Sequence, residues 1–346
     1  MIKIELEENK FIEFDEYDKL FFYGNNHEMI QKLVRSLKRF SCNKSLNSLE
    51  EIVYGENGLE IYRDNERLNS KNIEFHFLQD SLSIYKEVDL SKGNLMMNYL
   101  QNLQEEVEVN TQLEEIKNSF LKLEIFFNQK MKEISDNISS NFLDLTFDSL
   151  LKNHLFLSCF DSMHDYPLNM LDSDLLVDEY VQLIEKQLLN NPKETWIVLI
   201  NPESFISKEK IQSLLKGLER ISEKTGLLKI LIIAKETLEI QYYCDDIPKT
   251  VLLAEECHQM PEFNSFRKSI EKHYPDQLKL SDEELCQEFY EIASNVGVKP
   301  NLSGKSGRNM VLLRVIDELL GYDDFSFSVN FEQLSKLEKA YLQSEH

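Results

Sequence analysis

Thr195-Trp-Ile-Val-Leu-Ile-Asn-Pro-Glu203 is the stretch that decides how this chain folds. From Trp196 to Ile200 it is wholly apolar and too short for a helix, which suits a strand buried on both faces of a sheet. Pro202 ends the run and predicts an extended conformation for Asn201 before it. A second run of the same type, Leu227-Leu-Lys-Ile-Leu-Ile-Ile-Ala-Lys235, follows a helical stretch over residues 207–222. Strand, crossover helix and strand in that order predict two parallel neighbours.

In phosphate-hydrolysing ATPases a strand of this kind ends in the Asp that binds Mg²⁺, and here Asn201 stands in that place, so a scaffold without the chemistry is expected. Upstream, Phe21-Phe-Tyr-Gly-Asn-Asn-His-Glu-Met-Ile-Gln31 has the placement of a phosphate-binding loop: strand, Gly turn, helix start. A working loop needs Gly, four residues, then Gly-Lys-Ser/Thr, so that backbone N–H groups and the Lys surround the phosphates. Met29, Ile30 and Gln31 occupy those last three positions, and an ordinary strand-to-helix turn is the competing reading. Ser303-Gly-Lys-Ser-Gly-Arg308 does contain Gly-Lys-Ser, but Lys299 stands where its upstream Gly is required and no apolar strand precedes it. It reads as a loop capping the helix over 309–320, with a modest anion-binding turn as the alternative.

The 346 residues carry a formal net charge of −23, which taken alone argues against a polyanionic partner. The charge is segregated, however. Residues 94–192 hold six Lys against seventeen Asp and Glu, residues 29–45 hold five Lys and Arg and no acid, and residues 193–235 hold eight basic against five acidic side chains. The five cysteines lie far apart, without the paired spacing of zinc or dithiol sites, and read as free thiols in a reducing compartment. No apolar core of signal-peptide length opens the chain and no stretch approaches the roughly 20 apolar residues of a membrane span, so a cytoplasmic protein with no membrane partner is expected.

Residues 1–93 alternate short apolar and charged pieces, predicting strands with one helix over 28–40. Between Asn94 and Tyr166 there is neither Gly nor Pro, and apolar residues recur in steps of three and four from Leu100 to Ile138, which predicts long amphipathic helices turning back near 135–141. A further helix over 175–189 returns the chain to the Trp196 strand. The resulting expectation is a discontinuous α/β head (1–93 and 193–254), a helical insertion or leg (94–192), and a separate helical C-terminal extension (255–346) with helices over 282–295, 309–320 and 331–343.

On the helix over 28–40, Lys32, Arg35, Ser36 and Arg39 share one face, opposite Met29, Leu33, Leu37 and Phe40. Such a stripe can track a phosphate backbone without reading bases, and its plain alternative is a solvated face. Lys208, Lys210, Lys216, Arg220 and Lys224 add charge to the following unit. Asp144 and Asp148, at i and i+4, could set two hard oxygen ligands on one helix face, a donor type suited to Ca²⁺; a solvated acidic face is the alternative there, as at Asp245-Asp246. No histidine spacing suits zinc, and no nucleophilic triad or other catalytic residue is legible.

Taken together, the Gly24 loop, the Asn201 strand, the Lys235 strand and the helical insert resemble the long form of the type II-A CRISPR-associated adaptation proteins, the Csn-two family. The resemblance is clearest over 193–246, in Trp196-Ile-Val-Leu-Ile-Asn-Pro-Glu-Ser-Phe, Ser207-Lys-Glu and Leu231-Ile-Ile-Ala-Lys-Glu. It implies a head with the fold of ABC-type ATPases but no ATPase activity and no bound nucleotide, a helical leg, and a homotetrameric ring that binds ends of double-stranded DNA without sequence preference. It further implies calcium dependence and a role in spacer acquisition beside the Cas integrase and the type II effector nuclease. Carried onto this sequence, DNA contact falls on Lys32, Arg35 and Arg39, with Lys208 and Lys210 next, and calcium on Asp144 and Asp148. Two other functions fit the same layout: an ATP-dependent DNA-processing ATPase of the chromosome-maintenance (SMC-like) type, and a protein scaffold that binds no DNA.

Overall fold

The computed structural model describes every residue except 43, 56–57, 162–163, 298–305, 323–333 and 345–346. Part of the Gly-Lys-Ser element and the expected start of the last helix at Phe331 therefore lie outside the described residues. The strands are β1 (Ile2–Glu7), β2 (Lys10–Phe14), β3 (Lys19–Tyr23), β4 (Ile61–Arg63), β5 (Glu66–Arg67), β6 (Ile73–Leu78), β7 (Ser158–Asp161), β8 (His164–Pro167), β9 (Glu194–Ile200), β10 (Leu228–Ala234), β11 (Thr250–Leu253) and β12 (Cys257–Gln259). The helices are α1 (His27–Ser41), α2 (Ser48–Tyr54), α3 (Ser81–Val88), α4 (Leu95–Asn102), α5 (Val107–Lys132), α6 (Phe147–His154), α7 (Ser173–Asn190), α8 (Lys208–Thr225), α9 (Phe263–His273), α10 (Asp282–Ile292), α11 (Gly307–Leu320) and α12 (Lys336–Gln343). They form two compact units, Met1–Asp80 with Pro192–His346, and Ser81–Asn191.

The first unit is mixed α/β. Its larger sheet runs β12-β11-β3-β10-β9-β6, parallel apart from β12, which pairs antiparallel with β11. The two apolar runs sit at its centre: Ile230 pairs with Ile197 and Ile232 with Leu199, and all four are at most 1% exposed. The crossover helix α8 joins them as expected, burying Leu214, Leu215 and Leu218.

A four-stranded antiparallel sheet, β2-β1-β4-β5, supplies the unit's second layer. Helix α1 packs on β1 and β6, and its Ile30, Leu33, Leu37 and Phe40 join Ile4, Phe22, Trp196 and Val198 in one core. At about 1.5–3 kcal/mol per fully buried large apolar side chain, this stripe fixes the helix, and with it the direction of the polar face.

Asn201 departs from the extended conformation that the following proline predicts. It is left-handed, with φ 46° and ψ 55°. Proline disfavours only the right-handed helical region for its predecessor, and asparagine tolerates the left-handed one better than most residues. The Ser204 N–H and hydroxyl donate to its carbonyl at 3.0 and 2.7 Å, which holds the turn.

Residues 255–346, set apart by composition, belong to the first compact unit. Polar and ring contacts join them to the sheet's strand ends and the adjoining loop: Tyr290 stacks on Tyr242 with centroids 3.6 Å apart, its hydroxyl lies 2.7 Å from Thr250 Oγ1, and Asn25 donates to the Ser294 carbonyl at 2.7 Å. The composition change at Glu255 therefore marks no boundary between compact units. Helix α12 is held by Arg314, 2% exposed, which donates to the carbonyls of Tyr341 at 2.5 Å and Ser344 at 3.0 Å.

The second unit is mainly helical and begins at Ser81, ahead of Asn94, because α3 packs on α7: Ile84 and Val88 are buried, and the Ser173 hydroxyl donates to Ser81 at 2.6 Å. Met97, Leu113, Leu145, Phe147 and Leu151 form its core. The apolar periodicity outruns the long helix, since α5 stops at Lys132 and the chain returns without helix: Ser140 N donates to Asn128 at 2.6 Å, and Phe142 stacks on Phe120 at 5.3 Å. Ile134 and Ile138 are exposed.

Candidate nucleic-acid interface

The loop between β3 and α1 is built by a glycine and two asparagines. A Cβ on Gly24 would lie 2.1 Å from the carbonyl oxygen of Leu253, so only glycine lets this turn cross the end of β11. Asn26 is the N-cap of α1: its Oδ1 accepts the Met29 N–H at 3.0 Å, and its Nδ2 donates to the Ala254 carbonyl at 2.6 Å. The surroundings are acidic on balance. Glu7, Glu28, Glu255 and Glu256, with Lys10 and Lys32, line a cleft of about 420 Å³ at this end of α1, and Glu236, Glu239 and Glu291 line a cavity of about 540 Å³ beside Asn25, over the Tyr242–Tyr290 stack.

The stripe on α1 divides along its length. Lys32 is paired with Glu7 at 2.8 Å and Glu28 at 2.6 Å, and these hydrogen bonds raise its pKa. Arg35 is exposed and has no ion-pair partner among the described residues. Arg39 lies 3.0 Å from Glu50 and donates to the carbonyls of Cys42 and Lys44 at 3.1 and 2.9 Å.

Around Arg35 and Arg39 the surface is concave and basic. One cleft of about 600 Å³ is lined by Arg35, Lys38 and Arg39 over an apolar floor of Ile30, Val34 and Ile200, with no acid among its lining residues. A second, of about 700 Å³, shares Arg39 and Cys42 with the first and adds Lys44, Arg67 and Lys71, with Glu51 as the acid among its lining residues. Lys38 donates to Gln79 and sits 5.8 Å from the centroid of the Phe77 ring, Arg67 pairs with Glu60 at 2.9 Å, and Lys44 and Lys71 are exposed with no ion-pair partner among the described residues.

Lys38 and Lys44 were already visible as members of the acid-free stretch 29–45. Arg67 and Lys71 carry no such signal: Arg67 arrives through the register of the small sheet, in which it faces Tyr62, and Lys71 through the short helical turn over Ser70–Asn72 that follows. Lys208 and Lys210, on the first turn of α8, line neither cleft, and Lys208 is paired with Glu239 at 3.4 Å.

Asp144 and Asp148 do not share a helix face. Helix α6 begins at Phe147 with Thr146 as its cap, so Asp144 lies in the irregular segment before it, exposed. Asp148 accepts the Gln101 amide at 2.8 Å and lies 3.6 Å from Lys152; the Gln101 hydrogen bond, then Lys152 beside it, hold its pKa down. No three His, Cys, Asp or Glu side chains converge on a metal-sized site among the described residues. The two carboxylates on one helix face that the i, i+4 spacing predicts are therefore not formed. Asp246, read from sequence as part of a solvated face, is 3% exposed and lies 2.8 Å from Lys19, in a buried pair that anchors the approach to β11.

No protein-family model and no curated protein matches this sequence. Among solved structures, Stu0660 of Streptococcus thermophilus superposes with a TM-score of 0.83 at 14% identity, over 99% of each chain. This chain shares the fold of Stu0660. An ATP-binding cassette from an ABC transporter and cbiO1 of Clostridium perfringens align more loosely, with TM-scores of 0.34 and 0.37 at 13% and 12% identity, over 78% and 79% of this chain and 94% and 95% of theirs.

Proposed function

We propose that this protein is a non-enzymatic, sequence-independent DNA-binding protein of the long-form Csn-two family, acting on ends of double-stranded DNA during spacer acquisition in a type II-A CRISPR system. The observation that carries the reading is the pair of adjoining basic clefts on an otherwise acidic chain, in which Arg35, Lys44 and Lys71 have no ion-pair partner among the described residues. Exposed, unpaired cations on a concave surface attract phosphates at long range and release counterions on contact, with no base readout required. Within a closed homotetramer the same few cations would be repeated around one duplex. The Cas integrase and the effector nuclease are the partners this role implies.

The absence of nucleotide hydrolysis is part of the proposal. The Met29 amide at the start of α1, one of the donors that would receive a phosphate, is capped by the Asn26 side chain, and the cleft beside it is lined by four glutamates against Lys10 and Lys32. Calorimetry with ATP and Mg²⁺ tests this against the SMC-like ATPase reading, which requires tight binding.

The central test is a mobility-shift series with linear and circular forms of one duplex at several salt concentrations. Linear DNA is expected to bind more tightly, with a steep salt dependence. Equal affinity for the two topologies removes the end-binding claim, and no binding at any salt leaves the scaffold reading. A solution mass measured with and without calcium tests the tetramer and its ion dependence together.

A further inference from the structure

The first basic cleft differs from the second in having an apolar floor. Ile30 and Val34 come from α1 and Ile200 from the end of β9, and the cleft's volume of about 600 Å³ is in the range of sites that enclose a small organic group. At its rim the Gln31 side chain has no hydrogen bond among the described residues, and the left-handed turn at Asn201 presents a side chain whose Oδ1 accepts the Lys235 N–H at 3.3 Å while its side-chain amide nitrogen has no partner among them. Arg35 stands beside both, exposed and unpaired.

Each part of this arrangement answers one part of a nucleotide. An apolar floor meets the face of a base, side-chain amides meet either donors or acceptors on a base edge, and an unpaired guanidinium meets the phosphate or stacks on the ring. Phosphate alone would need no apolar floor.

Resting on the DNA-end reading above, we infer that this cleft receives an unpaired nucleotide at the DNA terminus, so that the protein prefers ends with a short single-stranded overhang to blunt ends. A paired terminal base must first be unstacked and unpaired, whereas an overhanging one enters without that cost. Glutamine and asparagine amides fit every base in one orientation or another, which keeps the preference independent of sequence.

The test is fluorescence anisotropy with one short duplex prepared blunt, with a 3′ overhang and with a 5′ overhang, at fixed salt. The expected result is overhang binding roughly tenfold tighter than blunt, the scale of one base seated on a protein surface. Val34→Trp, which fills the cleft, and Gln31→Glu, which is exposed and adds charge to its rim, are each expected to bring overhang affinity down to the blunt value; the salt dependence of blunt binding stays in Val34→Trp and falls by up to about 0.9 in Gln31→Glu, whose new carboxylate lies four residues from Arg35 on the same helix. Equal affinity for the three DNAs in the native protein overturns the inference while leaving end binding intact. So does a preference that survives in Gln31→Glu and in a folded Val34→Trp. Competition by polyglutamate that abolishes the preference but spares blunt binding would give the cleft to an acidic protein segment instead, and failure to bind any of the three would overturn this inference and the DNA reading together.

Discussion

Replacing Arg35, Lys44 and Lys71 together by alanine is the perturbation that most directly separates the basic clefts from the stripe legible on α1. All three are exposed and have no ion-pair partner among the described residues, so their removal should leave the thermal midpoint unchanged. If each meets one phosphate, the slope of log Kobs against log salt falls in magnitude by about 0.9 per residue, or about 2.7 for the triple variant. Over a fourfold rise in salt, from about 50 to about 200 mM, the native protein would then lose roughly 40-fold more affinity than the variant through these contacts alone. The assay is equilibrium binding of a linear duplex at four or more salt concentrations. Lys32→Ala is the control: Glu7 and Glu28 already neutralise that ammonium, so the slope should barely move. A triple variant with the native slope, or a Lys32→Ala slope reduced as much as the triple variant's, would refute the placement of the interface.

Gly24→Ala puts a methyl 2.1 Å from the Leu253 carbonyl oxygen and 2.7 Å from its carbon, both backbone atoms, and should destabilise the first unit by about 3 kcal/mol or more in urea denaturation; a loss under about 1 kcal/mol would show that the β3–α1 turn can shift. Asp246→Ala leaves the Lys19 ammonium with only the more exposed Glu219 beside it and should cost about 3 kcal/mol, whereas replacing Lys19 and Asp246 together by apolar residues should recover much of it. Burial raises the Asp317 pKa from 3.8 to about 7, so the folded state holds its proton more tightly than the unfolded chain. Stability should therefore decline as pH rises from about 4 to about 7, and Asp317→Asn, which can still accept the Gly297 N–H now 2.8 Å away, should flatten that decline in pH-dependent melting.

The α/β core of the first unit was legible because its signals are local. The runs ending at Ile200 and Ala234 are apolar at successive positions, as strands covered on both faces must be, and α1 and α8 carry unbroken helical periodicity. Three things were not legible, and each depends on contacts distant in sequence. Periodicity through Ile138 could not reveal that α5 stops at Lys132, because an extended return held by Asn128 and Glu124 uses the same apolar spacing. Spacing put Asp144 and Asp148 on one helix, while the cap at Thr146 starts the helix between them. Residues 255–346 look foreign by composition, yet Tyr290 and Ser294 pack against Tyr242 and Asn25, and that packing is a matter of shape and hydrogen bonding that composition does not encode. Of the stripe on α1, Ser36 is buried with the apolar side instead of facing out with the three cations, and which of the charges stay unpaired depended on Glu7 and Glu50, contributed by other elements.

Helix α1 also inverts the usual preference of a helix for anions. The macrodipole offers about half a positive charge at the N-terminus, and there an anion is ordinarily favoured by about 0.3–1 kcal/mol. In this chain that end lies in a cleft lined by Glu7, Glu28, Glu255 and Glu256 against Lys10 and Lys32, two net negative charges against half a positive one, and the Met29 amide already has Asn26 as an acceptor. Toward the other end, where the dipole is negative, Arg35, Lys38 and Arg39 on the helix and Lys44 just beyond it outweigh it by a wider margin. The field along the helix is thus set by side chains, and an approaching polyanion is repelled from the position a nucleotide phosphate would take and drawn to the clefts at the opposite end. With a screening length of about 8–10 Å at physiological salt, the remaining acid of the chain weakens that attraction only where it comes within that distance. A net charge of −23 is therefore compatible with a DNA-binding surface, because the charges that decide the encounter are those lining the clefts.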